Sequence, residues 1–209
     1  MKILIVSRRA RHARAYEFDE ALVMARMELK VHVARAVRPF TGGHATIGNV
    51  NIYNMKYDIP SGVSIFLKNF SYFPPNSIFR PKFAFLPLYG SHIAKLAKKH
   101  EVDLIHANFA FEEGFAALLA KNVTKKPLVV SVWGFDVQSD PRTGYGMLSQ
   151  QYTRNLVVRA LNGADAITVA ADSHYKTVRT LIGEDKMDKV FFIPMGVDVN
   201  RFGPFVDRN

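Results

Sequence analysis

At 209 residues and 48% hydrophobic content the chain can bury a full core, as one large domain or two small ones, and no run approaches the ~20 apolar residues of a membrane span. The apolar run at residues 3–6 is too short for a signal peptide, so the cytosol is the expected compartment; the absence of cysteine excludes disulfides, thiol nucleophiles and thiolate metal sites, and the seven histidines never stand at i, i+4 spacing, so no metal is expected. The net charge of +10 is lopsided: residues 1–100 carry 16 Lys and Arg against 5 acids, and residues 101–209 carry 12 against 13, which fits a phosphate-bearing or anionic-surface partner as well as a solvated basic face.

Short apolar or β-branched runs recur along the chain: KILIV (2–6), KVHVA (30–34), DLIHA (103–107), PLVVSV (127–132), DAITVA (165–170) and VFFI (190–193). Strands buried on both faces of a parallel sheet read this way. Between them, residues 16–29, 88–100, 115–122, 148–162 and 173–182 place apolar side chains three and four apart, as helices do. Gly163 and Gly183 stand where C-cap glycines belong, and Asp172 or Ser173 where an N-cap belongs. The pattern predicts an α/β fold, a doubly wound Rossmann-like parallel sheet, whose ligands bind at the carboxyl ends of the strands.

Several strand ends carry chemistry. His106 and Asn108 stand at a strand-to-helix junction, a position that fits either ligand contact or a histidine satisfying a loop carbonyl. After the first strand come Ser7, Arg8, Arg9 and Arg11, just ahead of a helix whose N-terminus favours an anion, so a diphosphate fits there. In WGFDV, Trp133, Gly134 and Asp136 offer a ring face, a close backbone approach and a carboxylate; this suits a sugar, as it also suits a core tryptophan followed by a turn. GYGMLS (144–149) lacks the last glycine of a dinucleotide fingerprint and follows no strand.

Residues 63–89 break the rhythm. They hold eight of the 25 aromatics, four of the ten prolines, the basic residues Lys68, Arg80 and Lys82, and no acid. With Phe70, Tyr72 and Phe73 they compose either an interfacial membrane contact or a groove for an amphiphilic ligand, or a loop folded back over its own core.

The stretches DLIHANFAFEEGFAALLAK, KPLVVSVWGFDV and ADAITVAADSHYKTVRTLIGEDKMDKVFFIPMGVDVNRFGP together resemble the amino-terminal, acceptor-side domain of the retaining two-domain glycosyltransferases of the GT-B fold, glycosyltransferase family 4. Each motif alone is weak; the strand, histidine junction, WG-D turn and closing IP-GVD-RF in one order are specific. The resemblance spans the chain, strongly from residue 102 onward. It implies one half of a GT-B architecture over residues 1–209, with the nucleotide-sugar domain supplied by an absent C-terminal domain or a partner chain.

The resemblance further implies no cofactor, a nucleoside-diphosphate sugar as donor, and a sugar, lipid or other hydroxyl as acceptor. Transfer would proceed with retention, the leaving diphosphate helping to take the acceptor proton. By the same resemblance His106 or Asn108 contacts the transferred sugar, the loop at Ser7, Arg8, Arg9 and Arg11 approaches the donor phosphates without the usual glycines, and Asp136 meets an acceptor hydroxyl. Glu112 and Glu113 are expected at the solvated surface. The resemblance also implies, in the second domain, a pair of glutamates separated by seven residues that binds the nucleotide sugar; Glu20 and Glu28 match that spacing only by chance, on the first predicted helix. A freestanding Rossmann-type binding or redox protein lacks its glycine fingerprint here, and a nucleic-acid binder lacks any known module.

Overall fold

The computed structural model describes residues 1–7, 16–37, 40–75, 77–80, 83–140 and 142–196. The apolar runs assemble into one eight-stranded sheet of order β3-β4-β2-β1-β5-β6-β7-β8. Its strands are β1 (Lys2–Ser7), β2 (Lys30–Arg35), β3 (His44–Ile47), β4 (Val50–Asn54), β5 (Leu104–Asn108), β6 (Leu128–Val132), β7 (Ala166–Val169) and β8 (Val190–Phe192). All pairings are parallel except β3 with β4, a hairpin on the edge. The helices are α1 (Tyr16–Arg26), α2 (Ile59–Lys68), α3 (Phe85–Lys99), α4 (Glu112–Thr124), α5 (Gln151–Gly163) and α6 (Asp172–Ile182).

Alternate residues of β1 serve two cores. Ile3 and Ile5 point to the face covered by Ala21 and Ala25 of α1, together with Val31, Val33, Val50 and Ile52. Leu4 and Val6 point to the other face, under Ile93 of α3, Phe115 and Leu119 of α4 and Leu156 of α5, with Val178 and Ile182 of α6 in the same cluster. A strand buried on both faces gains from every residue, and a fully buried Leu or Ile contributes about 1.5–3 kcal/mol. This is why Ile3–Val6 of β1 and Leu128–Val130 of β6 read as unbroken apolar runs, while β5 breaks its run with His106 and Asn108.

The chain winds outward from β1 through β2 to β4, returns by α2 and α3, and winds the opposite way from β5 to β8. The direction therefore reverses between β1 and β5, where Val6 is level with Ala107 and Ser7 and Asn108 close the two strands. A crevice at the carboxyl ends of strands is expected at this reversal.

Four expectations change. Gly163 is the last helical residue of α5 rather than a cap: an added Cβ would lie 2.4 Å from Leu118 Cδ1, so close packing with α4 requires glycine there. Ala171 caps α6, without a side-chain hydrogen bond, and Asp172 instead pairs with Lys176 one turn on. Leu148 lies in a 3-10 turn (Met147–Ser149) that precedes α5. Within the aromatic excursion, α2 forms a third layer on α3, where a Cβ at Gly62 would lie 2.7 Å from Leu88 Cδ2. Asp58 caps α2 by accepting from Ser61 N at 3.1 Å, and Lys95 of α3 pairs with the same carboxylate. Gly183, at φ +92, does end α6 as expected.

Candidate functional site

His106 and Asn108 are two apart on β5, so both project to the α1 face of the sheet, and both are buried. Level with Asn108 on β6 and β7 stand Ser131 and Thr168. His106 Nε2 lies 2.7 Å from Ser131 Oγ, which lies 2.7 Å from Thr168 Oγ1, a row of polar groups across three strands. From α1, Glu20 reaches over β1: its Oε2 accepts from Asn108 Nδ2 at 3.2 Å, and its Oε1 lies 3.7 Å from His106 Nδ1. Burial holds the His106 imidazole below its ordinary pKa, and the Glu20 carboxylate opposes that shift. The ring is therefore neutral near pH 7, and Glu20 meets an amide and a neutral ring. Asn108 Oδ1 is buried without a hydrogen-bond partner among the described residues.

Glu20 is thus part of the site, although its sequence signal pointed elsewhere. Glu28 lies apart from it, in the turn past α1, in a left-handed conformation and exposed to solvent. What matters is that α1, packed over β1, β2 and β4, sends the Glu20 side chain across β1 to β5. Ser131 and Thr168 gave no signal because each is a single hydroxyl inside an apolar strand.

The turn after β5 is strained and tied down. Phe109 is buried at φ 80, a left-handed conformation costly for a bulky residue, and such strain persists only where its surroundings fix it. Here its N–H donates to Ser131 O at 3.0 Å, and its carbonyl accepts from Gly114 N at 2.9 Å. Its ring sits 6.5 Å from that of half-buried Trp133.

Asp136, expected beside an acceptor hydroxyl, has its carboxylate occupied by backbone donors. It is buried, and its carboxylate accepts from the backbone N–H groups of Ala110 at 2.8 Å, Gly134 at 3.0 Å and Trp133 at 3.2 Å, joining the turn after β5 to the turn after β6. Burial pushes its carboxyl above the ordinary value, against the pull of these donors. Gly134, at φ 117, needs its glycine: a Cβ there would lie 3.0 Å from His174 Nε2 of α6, a histidine the sequence reading did not single out.

Glu112 and Glu113, expected at the surface, are buried in the first turn of α4, where the positive helix end favours carboxylates. Ser7 is buried beside β5, while Arg8, Arg9, Arg11 and Lys82 lie outside the described residues. Lys68, Phe70, Tyr72 and Arg80 are exposed, on the side of the sheet opposite His106. Phe73 is a correction: it is buried in the core, its ring 5.3 Å from Phe115 and 5.1 Å from Phe66, and offers nothing to a membrane or groove. The Arg80 guanidinium lies 5.6 Å from the centre of the Tyr152 ring. Among the described residues no three His, Asp or Glu side chains gather as metal ligands.

The family model of glycosyltransferase family 4 matches residues 21–201. No match was found among curated protein sequences. Among solved structures, sucrose-phosphate synthase from Thermosynechococcus elongatus is similar with a TM-score of 0.62 at 13% identity, over 97% of this chain and 93% of that one. The UDP-forming α,α-trehalose-phosphate synthase from Burkholderia xenovorans in complex with glucose-6-phosphate gives 0.60 at 12% identity, over 95% and 51%. UDP-GlcNAc 2-epimerase from Methanocaldococcus jannaschii gives 0.55 at 10% identity, over 92% and 45%. The chain spans about half the length of the latter two. Its fold is one half of the GT-B architecture, and with most of its length matched by the family model, the chain belongs to glycosyltransferase family 4.

Proposed function

We propose that the chain is the acceptor-side domain of a retaining glycosyltransferase that moves a sugar from a nucleoside-diphosphate sugar to a hydroxyl acceptor, and that it is inactive without a second, nucleotide-binding domain or partner chain. The observation that carries this is the cluster of Glu20, His106 and Asn108 at the sheet's reversal, beside Ser7, where this architecture binds ligands. Asn108 is nearer the end of β5 than His106 and keeps one acceptor oxygen unfilled, so it is the residue that meets a sugar hydroxyl. His106, held by Ser131, is a positioning residue that keeps Glu20 and Asn108 in register. Ser7 with Arg8, Arg9 and Arg11 takes the donor diphosphate, whose departure is favoured by fixed positive charge, and the departing phosphate helps to accept the acceptor's proton. No cofactor enters this scheme.

The test is transfer of labelled sugar from a panel of nucleoside-diphosphate sugars, using the protein purified at its native size from its source. Transfer by an assembly containing a second domain or partner is expected, with none by the 209-residue chain alone. Asn108→Ala should lower kcat/KM at least about 100-fold, the loss expected when a polar contact made in the transition state is removed. Turnover by the isolated chain, or full activity of the Asn108 variant, would overturn the reading. The likeness to an epimerase supports a second reading, a nucleotide-sugar-binding protein that transfers nothing. Saturable binding of the donor with no transfer to any acceptor would favour it.

A further inference from the structure

We infer that the outer face of α2, with the two short turns near it, is a docking surface for an anionic lipid bilayer, a property that does not depend on the proposed transfer reaction. The sequence of α2, IPSGVSIFLK, is apolar on nearly every side, yet only Gly62 and Ile65 are buried. A helix apolar all round is normally sunk in a core or a bilayer. Here Ile59, Val63 and Leu67, at i, i+4 and i+8, form an outward stripe and are 68%, 51% and 67% exposed. Phe70, in a 3-10 turn (Phe70–Tyr72) just past the helix with its ring 5.5 Å from that of Phe66, extends the surface at 66% exposure, and Phe79, in a second 3-10 turn (Ser77–Phe79), is 79% exposed. Scattered exposed apolar residues are ordinary; a run of large ones on one helix and its following turns marks an interaction site.

Charge selects the partner. From residue 59 to residue 100 the sequence holds six lysines and arginines and no Asp or Glu. The nearest acid before it, Asp58, is occupied by its cap and by Lys95. Aliphatic and aromatic tips on a stretch of chain whose only charges are basic match a leaflet of anionic headgroups over acyl chains, where basic residues meet phosphates and the tips enter the interface. Ten residues cannot span a bilayer, and among the described residues no helix is long and apolar enough to cross one, so α2 lies in the interface plane. Exposed Tyr72, apolar in body and polar at its tip, suits headgroup depth. Phe73 and half-buried Phe66 turn inward and hold the platform to the core.

The experiment is flotation of the full chain with vesicles of pure phosphatidylcholine or of phosphatidylcholine with about one third phosphatidylglycerol, at low and high salt, alongside light scattering of the protein alone. Binding to the anionic vesicles, weakened by salt and at least about tenfold weaker to neutral ones, is expected. The variant Val63→Ser/Leu67→Ser/Phe70→Ser should lose at least about tenfold of that binding, while an unchanged melting curve shows it folded, since these side chains contribute little to the core. Lys68→Gln should weaken anionic binding alone. Failure of the unmodified chain to float with either vesicle, or equal flotation of the folded triple variant, overturns the inference. So does a dimer or a complex with another protein that the triple variant abolishes in the absence of lipid binding.

Discussion

Asp136 shows how far one side chain can differ from its sequence role. Three backbone N–H groups from two turns converge on its carboxylate, so Asp136→Ala takes the acceptor from the buried donors of Ala110 and Gly134 and from the part-buried donor of Trp133. At about 1–3 kcal/mol for each buried group, a loss of at least about 2 kcal/mol is expected, read as a lower urea midpoint at unchanged slope. A change within 1 kcal/mol would show that the turns have other support. Lys125 offers the opposite experiment. It is exposed and closes α4 in the left-handed region at φ 60, where a non-glycine residue costs about 1–2 kcal/mol. Lys125→Gly should raise stability by about 0.5–1 kcal/mol, the relief outweighing the entropy of glycine. The acids were the least legible residues. Asp136, Glu112, Glu113 and Glu20 have partners or burial set by elements distant in sequence, and composition assigns any lone acid to the surface by default.

The elements divide by how completely they are buried. Strands β1, β2, β5, β6, β7 and β8 and helices α1, α3, α4, α5 and α6 were legible because burial on one or both faces leaves a clear apolar period. The β3–β4 hairpin was not: β3 is exposed along its whole length and reads HATI, with nothing to separate it from a loop. The Pro60 and Gly62 of α2 disguised a helix whose apolar residues face both inward and outward.

One junction between elements has a pH signature. At the C-terminal end of α3, His100 stacks on His32 of β2 with ring centres 4.3 Å apart, and Tyr53 of β4 lies 4.8 Å from His100. Burial first, then the neighbouring cations His100, Lys2, His44 and Lys30, lower the His32 pKa to about 4, and burial with Lys99, His44 and Lys2 lowers that of His100. Unfolding lets both rings take protons at their ordinary value of 6.5, so the unfolded chain binds more protons between pH 6.5 and about 4. Stability carried by the stack is complete above pH 6.5 and falls as the pH drops towards 4. Thermal melts from pH 8 to 4 should show this loss, and His32→Phe should flatten it by a few degrees over that window; an unchanged slope would place the acid sensitivity elsewhere.

For the whole molecule, protection should follow position in the sheet. β1, β5 and β6 are interior strands with neighbours on both sides, whereas β3 and β8 are edges, with Phe191 and Phe192 half exposed. Hydrogen exchange should therefore be slowest at β1, β5 and β6 and fastest at β3 and β8. Equal protection of β8 and β5 would contradict this ordering. The Glu20, His106 and Asn108 cluster sits on the most protected strand, which gives it a rigid base. The architecture was legible from alternation alone, because apolar runs separated by helical periods leave few other folds; the contents of the site were not, because they depend on which helix crosses which strand.

The carboxylate of Asp136 also limits how loops of this protein can vary. Because it holds Ala110 on one side and Trp133 and Gly134 on the other within 3.2 Å, a residue inserted into either turn would pull a donor out of reach. The two turns are fixed in length as a pair, whereas among the described residues between Gln138 and Gln150 no backbone group is tethered to Asp136, so changes of length are absorbed there.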